Sequence, residues 1–154
     1  MEDSVSRNEM SEFIVESAIN ISPDKKNEFL DEAMEVERSA WPPELQTSKE
    51  KLESRAEVFP QGFIVVRVGG KIRGVATSEI TAYDLSKDKT WDESTDNGML
   101  RRTHNPSEDS LYVASVGVAS DVQGKGIGSK LVEAQIELAK QLGLKRLFLG
   151  ARIP

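Results

Sequence analysis

A chain of 154 residues has room for one domain, and a domain of that size buries roughly 68–70% of the surface its unfolded form exposes. With 38% hydrophobic and 30% charged residues it reads as an ordinary globular protein rather than a disordered one. The absence of cysteine excludes a disulfide framework, a thiolate metal site and a cysteine nucleophile together, and the single histidine, His104, speaks against a histidine-built zinc site or a serine–histidine triad. No metal is expected. A formal net charge of −6 disfavours nucleic acid and anionic membrane surfaces as partners. No apolar run approaches the ~20 residues of a membrane span, and the acidic start Met1-Glu2-Asp3 is no signal peptide. A cytoplasmic enzyme or binding module is the expectation.

Residues 1–11 are polar and predicted to fray. Phe13, Val15 and Ser17-Ala18-Ile19 predict a first strand over about 12–20. Ser22-Pro23-Asp24 then supplies a cap, a proline for the first turn and an acid beside the helix dipole. The following helix carries Phe29, Leu30, Ala33, Met34, Glu37 and Trp41 at spacings of three and four, and Pro42-Pro43 stops it. Thr47 and Glu50 have the spacing of a capping box ahead of a second helix over about 48–59. The runs Gln61–Val68 and Lys71–Thr81 predict antiparallel strands joined by Gly69-Gly70. A long polar connection, Ala82–Ser110, follows, and connections of that length are functional or mobile.

Leu111–Ala119 is nearly continuous apolar sequence, as for a strand buried on both faces. Ile127, Leu131, Ala134, Leu138 and Leu142 then mark one stripe of a helix that Gly143 should terminate, and Lys145–Ala151 returns as a strand. No repeat or linker divides the chain, so residues 12–154 read as a single domain. The class is α/β, a mixed sheet with an antiparallel N-terminal part and helices on both faces.

The segment Val116-Gly117-Val118-Ala119-Ser120-Asp121-Val122-Gln123-Gly124-Lys125-Gly126-Ile127-Gly128-Ser129-Lys130 carries the chemistry. It leaves a buried strand and enters a helix through three glycines. Such a junction offers backbone N–H groups that no helical carbonyl satisfies, next to the positive pole of the helix. Glycine lets a diphosphate approach without meeting a Cβ. A P-loop needs Gly-Lys-Ser/Thr, but Lys125 is followed by glycine and Ser129 precedes Lys130. A dinucleotide fingerprint needs another glycine interval and an acid about twenty residues on, where Lys145 stands.

Gln123, Gly126 and Gly128 fit Gln/Arg-x-x-Gly-x-Gly/Ala, and with the upstream Val116-Gly117-Val118 they resemble the acetyl-coenzyme A signature of the GNAT (GCN5-related N-acetyltransferase) superfamily. The order of elements extends the likeness over residues 12–151, although only 111–151 is specific. Trp91-Asp92, Thr95-Asp96-Asn97-Gly98 and the ending Gly150-Ala151-Arg152-Ile153-Pro154 look like an uncharacterised bacterial branch of that superfamily. The resemblance implies pantetheine lying beside the strand at Val116 and Val118. It also implies a diphosphate on the amides of Gln123, Gly124, Lys125, Gly126, Ile127, Gly128 and Ser129, and direct attack of an amine, on a small molecule or a protein, on acetyl-coenzyme A. A backbone N–H near Val118 would stabilise the oxyanion.

Glu79 and Tyr112 are the candidate proton-transfer residues, with a solvated edge glutamate and a core tyrosine as the plain alternatives. His104, Glu108 and Asp109 read as surface loop chemistry, and Trp91 either walls an acceptor pocket or packs the long connection down. Family members usually continue with another helix and two strands, so a chain without them could instead be a coenzyme A-binding or regulatory module without turnover. Leu147 and Leu149 on one face of the last strand and Phe148 on the other leave an apolar sheet edge. We therefore expect residues beyond Pro154, or a second copy of the chain, to complete the sheet, and the isolated chain to self-associate.

Overall fold

The computed structural model describes residues 12–83 and 89–150. The expectations for residues 1–11 and for Ala151 lie outside them. Five strands form one mixed sheet in chain order: β1 (Phe13–Ser17), β2 (Ile64–Val68), β3 (Lys71–Thr81), β4 (Ser110–Val118) and β5 (Arg146–Leu149). The first four run antiparallel to their neighbours, and β5 pairs parallel to β4. Helices α1 (Lys26–Ala40) and α2 (Lys49–Val58) cover one face. A short helix, α3 (Trp91–Thr95), lies in the long connection, and α4 (Ile127–Gln141) covers the other face.

Two apolar layers hold the sheet between these helices. Phe29, Leu30, Ala33, Met34 and Val36 of α1 pack with Leu52 and Ala56 on Phe63, Val65, Ile72 and Val75. On the opposite face Ile127 and Leu131 meet Ile64, Val66, Ala76, Val113, Val116 and Val118. Alternating residues of β3 thus serve both layers, as the period of a strand requires. Gly69 and Gly70 turn the β2–β3 hairpin at φ +61° and +78°, values only glycine adopts without strain. The strand expected at Lys145–Ala151 forms over Arg146–Leu149 and is the outermost strand among the described residues.

Several boundaries differ from the sequence expectation. The first strand ends at Ser17 and gives way to a 3₁₀ turn at Ala18–Asn20. Pro23–Lys25 likewise form a 3₁₀ turn, so α1 begins at Lys26 and the Ser22 side chain caps nothing. Thr47 is not the cap of α2. Ser48 is, its hydroxyl accepting from Lys51 N–H at 3.2 Å, which leaves Thr47 free to contact Glu37 and Arg55.

The long connection is better organised than its polarity suggested. Thr90 caps α3, and Leu100 is fully buried. Asp96, Asn97 and Leu100 all have positive φ, uncommon outside glycine. That backbone is held by Ser54 Oγ donating to Met99 C=O at 2.7 Å and Arg55 Nε donating to Gly98 C=O at 2.7 Å.

Helix α4 packs tightly on β3 at Gly74, where an added Cβ would stand 2.5 Å from Ile127 Cγ2 and 3.0 Å from Leu131 Cδ1. Gly74→Ala is therefore expected to destabilise the fold by about 1–3 kcal/mol through overpacking. Urea denaturation should show a lower midpoint with an unchanged slope.

Candidate active site

The site begins with a slip in the β3–β4 ladder. Thr77 pairs with Ser115 but Ser78 pairs with Val113, which leaves Ala114 as an extra residue in β4. Such a bulge bends its strand and re-aims the groups beyond it. The described part of β5 pairs with β4 as far as Val113, whose C=O accepts from Gly150 N–H at 3.1 Å. After the bulge the alternation changes phase, and Ala114, Val116 and Val118 present their polar groups to the β5-side edge, where no backbone of the described residues pairs with them. Two of the carbonyls there are taken by side chains: Trp91 Nε1 donates to Ala114 C=O at 2.8 Å and Gln123 Nε2 to Val118 C=O at 3.0 Å. Val116 lies between them.

Below this open edge is a cleft of about 540 Å³ lined by Val118, Gln123, Gly124, Gly126, Gly128, Ser129, Val132, Glu133 and Leu149. Gly126, at φ +92°, is the first residue of the turn into α4. Among the described residues, the amides from Gln123 to Ser129 donate to no protein acceptor, and the first helical bond is Lys130 N–H to Gly126 C=O. A Cβ added at Gly124 or Gly126 would meet nothing within 4 Å. The turn is therefore an open cradle of N–H donors at a helix start, the arrangement that suits a diphosphate. Gln123 does not reach into the cradle. It ties the turn back to the strand.

On the other side of the same edge lies a cleft of about 530 Å³, lined by Glu37, Trp41, Glu44, Leu45, Gln46, Thr47, Lys51, Arg55, Trp91, Asp92, Ala114, Ser115, Val116 and Gly150. Its floor is β4 and its walls come from the end of α1, from α2 and from α3. A Cβ on Gly117 would lie 3.6 Å from Trp41 Nε1 and 3.9 Å from Glu37 Oε2, so this carboxylate stands directly over the strand between Val116 and Val118. Glu37 Oε1 accepts from Thr47 N–H at 2.8 Å. Burial raises its pKa, against smaller downward pulls from that N–H and from Arg55.

Arg55 is 2% exposed. It donates to Gly98 C=O, Thr77 Oγ1, Ser115 Oγ and Thr47 Oγ1, and its guanidinium lies 5.7 Å from the centre of the Trp91 ring. Burial lowers its pKa to about 10, opposed by the fields of Glu37 and Glu79.

Glu79 is wholly buried beside this group rather than on a solvated edge, and it does not line the cleft. Burial pushes its carboxyl up to about 7, opposed by Thr103 and Arg55. Thr103 lies near enough to draw the carboxyl down, yet neither group completes a hydrogen bond of ordinary geometry. Tyr112 pairs with Glu79 across the ladder and packs with Leu100, Ala114 and Phe148. Burial raises its pKa, and the Glu79 charge adds to that. Its hydroxyl lies directly beneath Gly150, one layer behind the cleft wall.

His104 is no loose surface residue: its Nδ1 accepts from Ile80 N–H at 3.0 Å and its ring stacks on Phe59 at 4.6 Å. Glu108 and Asp109 lie outside both clefts. Trp91 fulfils both expectations at once, walling the cleft and pinning the connection to β4. Sequence reasoning missed Arg55 and gave Glu37 only a place in the helical stripe. A basic residue inside the second helix carries no signal of burial, because nothing local shows which strands it will meet.

A family model described as the acetyltransferase (GNAT) family matches residues 26–154. Two Bacillus subtilis proteins are similar. "Uncharacterized N-acetyltransferase YkwB" is 36% identical over 115 residues, 74% of this chain and 50% of that protein. "Probable hydrolase YhcX" is 32% identical over 126 residues, 81% of this chain and 24% of that protein. The chain thus spans half of the first relative and about a quarter of the second. Among solved structures, the loading GNATL domain of CurA from Lyngbya majuscula superimposes with a TM-score of 0.70 at 19% identity, covering 89% of this chain and 63% of that one. The GphF GNAT-like decarboxylase in complex with isobutyryl-CoA gives 0.67 at 22%, covering 88% and 64%. Those likenesses show the fold, a GNAT-like mixed sheet. No helix among the described residues is long and apolar enough to cross a membrane. With the family model matched over most of its length, the chain belongs to the GNAT acetyltransferase family, whose enzymes typically use acyl-coenzyme A and acetylate amine acceptors.

Proposed function

We propose that this chain is an N-acetyltransferase that moves the acetyl group of acetyl-coenzyme A directly to a primary amine. The observation that carries this reading is the edge of β4 between Ala114 and Val118, unpaired by backbone among the described residues, which faces the glycine cradle on one side and a cleft with a half-buried carboxylate on the other. The diphosphate of the substrate rests on the amides of Gln123 to Ser129. The pantetheine arm runs along this edge of β4 as an added strand would, bonded at Val116 and Val118. The thioester then lies beneath Glu37, with the Val116 N–H turned to its carbonyl oxygen as that oxygen gains charge.

The amine enters from the second cleft as an ammonium and must lose a proton before it attacks. Glu37 is the carboxylate that lines this cleft, and its raised pKa makes it a better base than an exposed glutamate. The new N–C bond forms as the C–S bond breaks. The first proton, taken from the ammonium, goes to Glu37, and the second, released by the nitrogen as the amide forms, passes to the departing coenzyme A thiolate. Glu79 and Tyr112 act from behind the wall, the first through its field on Arg55 and the second through its contact with Gly150. A coenzyme A-binding module without turnover would share the cradle but release no thiol.

Coenzyme A and acetyl-coenzyme A should both raise the melting temperature, because a ligand bound only by the folded state stabilises it. Gly128 lies in regular helix without a positive φ, so Gly128→Val should fold, lose that rise and weaken cofactor binding by at least tenfold. Tight binding by this variant would remove the cradle from the site. Intact mass after incubation with acetyl-coenzyme A alone should show no acetyl adduct, since transfer is direct.

Glu37→Gln should lower kcat by ~10²–10⁴ with little change in cofactor binding. In the parent, kcat/KM should rise with pH through a value above the ordinary carboxylate range, and the variant should lose that limb. Glu79→Gln should cost far less activity, and its stability profile should differ. Folding raises the Glu79 pKa from 4.5 to about 7, so the folded state binds more protons between those values and stability falls as pH rises through them. The parent's denaturation midpoint should therefore drop between pH 5 and pH 8 by more than that of Glu79→Gln. A kcat collapse in Glu79→Gln with an active Glu37→Gln would exchange their roles.

A further inference from the structure

The acceptor cleft holds two opposite charges that do not pair with each other. Glu37 and Arg55 both line it, and Thr47 bridges them: its N–H donates to Glu37 Oε1 at 2.8 Å and its hydroxyl accepts from Arg55 Nη2 at 3.1 Å. No ion pair among the described residues joins the two. Every hydrogen-bond partner of the buried guanidinium is neutral, three hydroxyls and one carbonyl. One of the two Nη2 hydrogens is left over.

Burial of an ion is costly, and a charged partner at good geometry is what offsets it. Here the offset is incomplete for both groups. Desolvation is the largest influence on each, pulling Arg55 down and Glu37 up, toward their neutral forms, despite their mutual attraction. A ligand that brings an ammonium to the carboxylate and a carboxylate to the guanidinium supplies both missing partners at once.

The positions also suit the reaction. Glu37 stands over Gly117, beside the thioester, while Arg55 is anchored two residues earlier on the same strand at Ser115. Two strand residues span about 7 Å, a distance that a small amino acid bridges when it hydrogen-bonds at both ends. The other charges lining the cleft are likewise mixed, with Lys51 set against Glu44 and Asp92. A diamine or polyamine would bring a second cation against Arg55 and Lys51.

Resting on the acyl-transfer reading above, we propose that the acceptor is zwitterionic: a free amino acid whose ammonium is received by Glu37 and whose own carboxylate is received by Arg55. The ~530 Å³ cleft is within the range of small-molecule sites, and the indole walls of Trp41 and Trp91 leave room for an apolar or aromatic side chain.

The test uses the full chain with acetyl-coenzyme A and matched acceptors: glycine, alanine, phenylalanine and β-alanine, the amide and the decarboxylated amine of each, and putrescine. Thiol release should favour the amino acids over their amides by ~10- to 100-fold in kcat/KM, the worth of one charge-assisted hydrogen bond to a buried group. Arg55→Lys, which keeps the charge but loses the fork, should narrow that ratio mainly through KM. A parallel measurement reads the site without turnover: in the presence of coenzyme A, the preferred amino acid should raise the melting temperature more than its amide. Release of thiol by no amine would defeat the transfer reading, while this stabilisation would still report on the zwitterion site. Amides or putrescine serving as well as the amino acids, or equal stabilisation by acid and amide, would overturn the proposal even if Arg55→Lys fails to fold.

Discussion

One extra residue in β4 governs the site. With Ala114 inserted opposite the Thr77–Ser78 step, the groups beyond it shift phase, and among the described residues no backbone pairs with the β5-side edge of β4 past Val113. An unpaired strand edge exposes backbone donors and acceptors, normally a hazard. Here much of the exposed length is managed. Trp91 and Gln123 each take one carbonyl, so the unpaired stretch narrows to the residues around Val116. The same bulge sends the side chains of Val116 and Val118 into the α4 layer while Ser115 and Gly117 face α1 and the cleft. Core and site are thus two faces of one strand, and neither can be moved without the other.

The parts legible in the sequence are those whose signal is local. The β2–β3 hairpin was readable because Gly69-Gly70 separates two β-branched runs, and α4 because its stripe repeats at helical period between Gly126 and Gly143. The cradle was readable because its donors belong to consecutive residues. The bulge at Ala114 was not, since it is a property of how β4 meets β3. The cleft was not either, because it joins α1, α2, α3 and β4 from four places in the chain. Glu79 shows the limit well. Its place late in a strand was correct, but a solvated edge and a buried layer cannot be told apart until the covering connection, with Leu100 folded inward, is known. The cap of α2 failed for a smaller reason: adjacent Thr47 and Ser48 are both competent, and tertiary contacts to Glu37 and Arg55 decide between them.

Arg55 raises the question of why a fold would keep a buried cation with only neutral partners. Replacing buried charges by apolar groups of similar shape is often neutral or stabilising, so stability alone gives little reason for it. Its bonds do organise the site: through Gly98 it fixes a connection with three positive-φ residues, through Ser115 it reaches β4 at the floor of the cleft, and through Thr47 it shares a residue with Glu37. A neutral amide in the same place could make some of those bonds. It could not hold a positive potential at the cleft wall, nor draw against the raised pKa of Glu37. The Trp91 ring lies against the guanidinium without quenching its charge. The charge itself is therefore the feature that structure does not require and that recognition of an anionic group would use.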